Sequence, residues 1–154
     1  MRRIVLLFSL MALMSVVAAG VAWAELQEGT NGPDTLNGTA QADRQFGFGG
    51  QDVLRGRGGN DKQNGGGGPD TIRGNAGDDT QKGSKGADTI IGGPGDDNVI
   101  AGGGADFVNV KDDLVQNDTV DCGPGDDTVR RDFFLFLLPP RGDTIENCEH
   151  VINN

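Results

Sequence analysis

The chain is poor in the side chains that enzymes most often use for catalysis. Its 154 residues include no Tyr, one Trp, one His and two Cys, and aromatic residues make up 5% of the total. His150 and Ser84 lie far apart in the sequence, and no nucleophile-elbow motif surrounds Ser84. We therefore expect no enzyme activity.

Basic and large apolar residues are also scarce. Lys and Arg total 13 against 23 acids, so the net charge is −10, which argues against nucleic acid as a partner. Leu, Ile, Val and Phe make up about 21% of residues 25–154, close to the level at which charged chains stay disordered. The length predicts one domain. Since apolar burial alone cannot hold it, an acidic chain with 27 glycines points to bound cations.

The N-terminal segment has the pattern of a signal peptide. Residues 1–3, with Arg2 and Arg3, form a basic segment, residues 4–20 form a mainly apolar run, and residues 22–24 form a small-residue cleavage site. We expect removal of residues 1–24, secretion or display at the cell surface, and no transmembrane segment in the mature chain. Cleavage removes two Arg and no acid, so the net charge becomes −12. An uncleaved membrane anchor is the alternative, although the apolar run is slightly short for one.

The two cysteines, Cys122 and Cys148, suggest one disulfide. An isolated pair in an exported chain usually forms a bridge. Closing a loop of about 26 residues contributes roughly 3.5 kcal/mol in the chain-entropy treatment. Two buried free thiols are the alternative.

Aspartate recurs with a period of nine residues. Glycine stands two residues before each aspartate except at Gln41, and five residues before each except at Ala101. This spacing predicts one turn geometry repeated with a carboxylate aimed the same way each time, as in metal-binding solenoids. The nine aspartates are Asp34, Asp43, Asp52, Asp61, Asp70, Asp79, Asp88, Asp97 and Asp106.

The repeat resembles a known calcium-binding family. Residues 92–100, GGPGDDNVI, match the nonapeptide GGxGxDxUx, in which U is a large apolar residue. This motif resembles the repeats-in-toxin (haemolysin-type) family over residues 29–109, and it returns at residues 117–129 after a slip of three residues. The ending, with DCGPG, DTI and NCE, looks like exported calcium-binding proteins common in actinobacteria and their relatives.

The resemblance implies an all-β fold, a parallel β-roll (β-solenoid). Each nonapeptide would form a six-residue turn and a three-residue strand, with two repeats in every coil. The roll would span residues 25–109, and residues 110–154 would form degenerate repeats and a disulfide-linked C-terminal cap. Ca²⁺ would lie between equivalent turns of successive coils, bound by turn carbonyls and by the nine aspartates, with Asp118 and Asp127 as further ligands.

Calcium is then expected to control folding. The two rows of aspartates offer about seven full sites. Stacked carboxylates repel without metal, so we expect the metal-free chain to be largely unfolded and to fold cooperatively on calcium. The site at Asp43 should be the weakest, because Gln41 replaces glycine there. Asp78 and Asp96 either strengthen binding or only add solvated charge.

The apolar position of the repeat divides into two rows. Alternate repeats carry aliphatic residues, whereas the others carry Gln45, Gln63 and Gln81 before Val99. Coils of two repeats would stack each set, giving an aliphatic wall and a glutamine wall. Stacked glutamines can hydrogen-bond to each other along a ladder. The alternative is that the glutamine row faces solvent.

An apolar run, FFLFLLPP at residues 133–140, follows the repeats. It is either part of a cap over the last coil or a docking loop, with Phe133, Phe134, Phe136 and Leu137 as contact residues. The sequence therefore predicts an exported calcium-binding protein acting as a structural or adhesive extracellular module. The alternative function is a calcium-gated protein that docks a protein partner or a membrane or cell surface through residues 133–138.

Overall fold

The chain forms a parallel β-solenoid of about six turns. The computed structural model describes residues 24–111, 116–131 and 142–153, and these residues include no helix. Successive strands alternate between two seven-stranded sheets, so each coil contributes one strand to each sheet. The predicted fold class is confirmed. Within the same residues, no helix has the length and apolar character needed to cross a membrane.

The two sheets contain the odd-numbered and even-numbered strands respectively. Sheet A comprises β1 (Leu26–Glu28), β3 (Arg44–Gly49), β5 (Lys62–Gly67), β7 (Thr80–Lys85), β9 (Asn98–Gly103), β11 (Thr119–Asp121) and β13 (Thr144–Glu146). Sheet B comprises β2 (Thr35–Asn37), β4 (Val53–Gly58), β6 (Thr71–Ala76), β8 (Thr89–Ile91), β10 (Phe107–Asn109), β12 (Thr128–Arg131) and β14 (His150–Asn153).

The register of the strands follows from the nine-residue period. Two repeats make one coil, so Leu54 pairs with Ile72, which occupies the same position two repeats later. After β9 and β10 the offset becomes 21 residues, as where Asn98 pairs with Thr119. The three-residue slip therefore falls between strands, and β11 to β14 continue both sheets.

Several strands are longer than the three residues that the repeat pattern predicts. β3, β4, β5, β6, β7 and β9 each have six residues, because parallel pairing continues into the turns. Phe48 pairs with Gly66, and the N–H of Gly50 donates to the Gly67 carbonyl at 2.8 Å. Neighbouring turns are therefore held together by backbone hydrogen bonds as well as by the rows of aspartates.

The interior contains the predicted aliphatic wall. Its side chains come from the middle of the sheet B strands and are fully buried from the second coil onward. Leu36, in the first coil, is only partly buried. The wall consists of Leu36, Leu54, Ile72, Ile90, Val108 and Val129.

The glutamine row is also interior, and it forms a hydrogen-bonded ladder. Gln45, Gln63 and Gln81 are at most 3% exposed, so the solvent-facing alternative is wrong. Gln63 Nε2 donates to Gln45 Oε1 at 2.7 Å, and Gln81 Nε2 donates to Gln63 Oε1 at 3.2 Å. Gln27 extends the ladder by one coil.

Each glutamine of the ladder also donates a hydrogen bond to a backbone carbonyl of sheet B. Gln63 Nε2 donates to the Arg73 carbonyl at 3.1 Å, and Gln81 Nε2 donates to the Ile91 carbonyl at 3.1 Å. The ladder therefore ties consecutive coils to each other and the two sheets to each other.

Replacing Gln63 with Leu is expected to lower the free energy of unfolding by about 2 kcal/mol, because Gln45 Oε1 loses its ladder donor inside the protein. Gln51→Leu is the matched control, since Gln51 is exposed, and it should change stability by less than about 0.5 kcal/mol. Urea denaturation at a fixed calcium concentration measures both. A Gln63→Leu chain as stable as wild type would contradict the role assigned to the ladder.

The predicted disulfide is present. Cys122 and Cys148 are bonded, with their Cα atoms 5.3 Å apart, so the free-thiol alternative is wrong. Cys122 is fully buried and extends the apolar interior beyond Val120. The bridge joins the coil that contains β11 to the segment just before β14. Phe133, Phe134, Phe136 and Leu137 lie outside the described residues, so the cap and the docking loop stay predictions.

Candidate calcium-binding turns

The aspartates form two rows, each residue lying immediately before a strand. With the exception of Asp34, which is partly exposed, they are at most 2% exposed. The N–H of each aspartate donates to Oδ1 of the aspartate in the next coil, at 2.7–2.9 Å. One row contains Asp34, Asp52, Asp70, Asp88, Asp106 and Asp127; the other contains Asp43, Asp61, Asp79, Asp97 and Asp118.

The second carboxylate oxygen of these aspartates makes the turns candidate cation sites. In seven aspartates Oδ2 is buried, and the part of the chain that the structure describes offers it no hydrogen-bond donor. A buried carboxylate oxygen without a donor or a cation is costly. The seven are Asp52, Asp61, Asp70, Asp79, Asp88, Asp106 and Asp127.

A backbone carbonyl faces the same space as Oδ2. A Cβ placed on Gly74 would overlap Asp79 Oδ2 and would lie 2.8 Å from the Gly92 carbonyl oxygen. The equivalent Cβ on Gly56 would overlap Asp61 Oδ2 and would lie 2.6 Å from the Gly74 carbonyl oxygen. Glycine five residues before the aspartate therefore keeps open a space bordered by hard oxygen atoms. Calcium prefers such atoms, at about 2.3–2.6 Å.

The turns that carry these carboxylates share one backbone conformation. From the turn of Asp52 to the turn of Asp106, the residues four and two positions before the aspartate both have left-handed φ. Four of these residues are not glycine: Phe48, Arg57, Asn75 and Ser84. A left-handed conformation costs a non-glycine residue about 1–2 kcal/mol. The coil-to-coil hydrogen bonds therefore impose the turn even where the sequence resists it.

Burial shifts the ionisation of the row. Desolvation, opposed by the backbone hydrogen bond and reinforced by neighbouring carboxylates, raises the pKa of Asp61 and Asp88 to about 6 and of Asp79 to about 7. The ordinary pKa is 3.8, so the metal-free fold binds protons more tightly than the unfolded chain does. The contribution of these groups to the stability of the metal-free fold is therefore lost as the pH rises from about 4 to about 7. At neutral pH a bound cation would supply the positive charge that protons supply in acid.

The described ranges contain no group of three or more His, Cys, Asp or Glu side chains able to hold a metal. A cation in these turns would therefore need backbone carbonyls, such as those of Gly74 and Gly92, among its ligands. Ca²⁺ accepts mixed carboxylate and carbonyl ligation of this kind, whereas Zn²⁺ sites are built from Cys, His and carboxylate side chains.

Two acidic residues that the nine-residue period does not predict continue the rows. The N–H of Asp127 donates to Glu149 Oε2 at 2.9 Å, and the N–H of Asp118 donates to Asp143 Oδ1 at 3.2 Å. Glu149 lies 22 residues after Asp127, and Asp143 lies 25 residues after Asp118, so neither fits the nine-residue period. The DTI and NCE segments near the C-terminus were the available signal.

Asp78 and Asp96 lie outside both rows. They are exposed, and the N–H of Asp96 donates to Asp78 Oδ1 at 3.0 Å along the outer surface. Their carboxylates therefore do not border the space beside Oδ2 of Asp79. This placement favours the reading of these two acids as solvated charge.

Comparison with protein families agrees with this geometry. A family model described as the RTX calcium-binding nonapeptide repeat matches residues 28–62, 64–80 and 82–109, which is more than half of the chain. Comparison with curated proteins and with solved structures gives no match. Among the described residues, all seven turns in which two left-handed residues precede a buried aspartate lie within the matched segments. The chain therefore belongs to the family of RTX calcium-binding nonapeptide repeats.

Proposed function

We propose that the protein is exported, binds calcium ions in its repeat turns, folds on binding them, and serves as a structural or adhesive module outside the cell. One observation carries the proposal. In the part of the chain that the structure describes, buried Oδ2 atoms without a donor recur coil after coil, and those of Asp52, Asp61, Asp79 and Asp88 lie beside a backbone carbonyl in a space that glycine keeps open.

The roles of the residues follow from their contacts. The Asp61 N–H, donating to Asp79 Oδ1 at 2.8 Å, holds that carboxylate so that Oδ2 faces the space beside Gly74. The turn carbonyls would complete the coordination. A bound Ca²⁺ supplies the positive charge that neutralises stacked carboxylates. The ligand aspartates would come from the predicted set, and those from Asp52 to Asp106 are the most favourably placed.

The extracellular setting rests on three features. Residues 1–24 have the pattern of a signal peptide, the Cys122–Cys148 disulfide suits an oxidising compartment, and proteins of this repeat family are typically exported. Calcium outside cells is abundant enough for sites of modest affinity. A structural or adhesive role is the simplest one for such a module.

Adjacent aspartates offer a matched test of calcium binding. Asp79→Asn should lower the number of bound Ca²⁺ by at least one and raise the calcium concentration at the folding midpoint roughly tenfold, because Asp79 is buried in the row. Asp78→Asn removes the same charge from an exposed position and should leave both unchanged. Native mass spectrometry counts the ions, and circular dichroism follows folding. Equal effects of the two substitutions would contradict binding at the buried row.

A further inference from the structure

The first two turns of the solenoid satisfy their carboxylates with protein donors. Asp34 Oδ2 accepts hydrogen bonds from the Thr30 N–H at 2.6 Å and from Thr30 Oγ1 at 2.9 Å. Asp43 Oδ2 accepts from the Thr39 N–H at 2.5 Å and from Thr39 Oγ1 at 3.0 Å. In the turns of Asp52 to Asp88, the described residues offer the same oxygen no donor.

The backbone of these two turns also differs. Neither Thr30 nor Gly32 has a left-handed φ, and neither do Thr39 and Gln41. In the seven turns that follow, both equivalent residues are left-handed. Threonine is β-branched and strongly resists that conformation, whereas glycine adopts it freely. In the observed conformation, the threonine N–H points at the carboxylate.

A cation at either turn would meet two obstacles. It would have to displace two donors that already satisfy Oδ2, and it would have to drive a β-branched residue into the left-handed region to obtain the turn seen at Asp52 and beyond. Neither obstacle is present at the turn of Asp70, where glycine (Gly66) stands four residues before the aspartate and the described residues offer Oδ2 no donor.

We propose that Thr30 and Thr39 take, with their N–H and hydroxyl donors, the place that calcium takes in the later turns. Residues 29–43 then form a calcium-independent first coil on which the calcium-dependent coils assemble. The inference rests on the proposed function, because it divides the repeat turns into those that bind calcium and those that do not.

Other contacts of the first coil are also independent of metal. The Glu25 N–H donates to Asp43 Oδ1 at 2.6 Å, so both oxygens of that carboxylate have protein donors. Gln27 Nε2 donates to the Asn37 carbonyl at 2.6 Å, and Gln27 Oε1 accepts from Gln45. These bonds join the start of sheet A to the start of sheet B.

Calcium counts in the full chain test the proposal by loss of a carboxylate. Asp43→Asn should leave the number of bound Ca²⁺ unchanged, although it disturbs the bonds to Thr39, whereas Asp79→Asn lowers the number. An equal loss of ions in both variants would overturn the proposal that the first coil is calcium-independent, and the proposed function of calcium binding would still stand. No loss in either variant would instead refute the proposed function.

A second test removes the threonine from one of the first two turns and looks for a gained calcium site. Thr30→Gly converts residues 29–34 into a complete GGxGxD turn with one substitution at an exposed position, and it should add one Ca²⁺ per chain. Thr30→Val is the matched control, because it removes the hydroxyl but keeps the β-branched backbone, and it should add none. A wild-type count for Thr30→Gly, or an added ion in Thr30→Val, would overturn the proposal.

Discussion

Chelating calcium at pH 8 is expected to abolish most of the β-sheet circular dichroism of the chain, and returning calcium should restore it over a narrow concentration range. Neighbouring carboxylates at the strand spacing of about 4.8 Å repel by roughly 3.5 kcal/mol at an effective dielectric of 20. The interior offers little compensation, because half of one wall is glutamine. We therefore expect calcium binding to several coupled turns to supply much of the free energy of folding.

The pH and the choice of ion provide the controls. At pH 5 the chelated chain should keep more β structure, because the pKa of Asp79 is raised to about 7 and protons replace the missing charge. Mg²⁺ should restore far less structure than Ca²⁺, since it demands a tighter octahedral site and retains its water. A chelated chain at pH 8 with the spectrum of the calcium-loaded chain would refute calcium-dependent folding.

Much of the fold could be predicted from the period alone. Two nonapeptides make one coil, so the alternation of Leu54 and Ile72 with Gln45 and Gln63 already assigned the two walls. The period alone does not show whether the glutamines face inward, because that depends on hydrogen-bond partners in the folded coil. Each needs a backbone acceptor across the interior, such as the Arg73 carbonyl, and that acceptor is visible only in the folded coil.

The candidate site was predictable in its carboxylates but not in its turns. The spacing predicted Asp79 and its row. It does not show which turns have left-handed φ angles before the aspartate, as at Asn75, and which do not, as at Thr39. These angles reflect coil-to-coil hydrogen bonds as well as local preference. The place of Glu149 in the row was not predicted, because it lies 22 residues after Asp127 and so falls outside the nine-residue period.

Replacing Gly68 with Ala is expected to lower the free energy of unfolding by more than about 3 kcal/mol. Gly68 has a φ of 110°, a conformation that costs alanine about 1–2 kcal/mol, and a Cβ there would overlap the Gly50 carbonyl oxygen of the preceding coil. That oxygen belongs to backbone and cannot move without separating the coils. Urea denaturation at saturating calcium measures the loss.

Gly67→Ala is the matched control, in the same turn and with the same added methyl group. A Cβ on Gly67 meets nothing closer than the Phe48 carbonyl oxygen at 3.9 Å, so the change should be within about 1 kcal/mol. Equal stability of the two variants would mean that coils tolerate wider spacing at their turns. A large difference would show that glycine is required at this position only where the turn is left-handed, which agrees with Gln41 at the equivalent position of the Asp43 turn, where the φ of Gln41 is not left-handed.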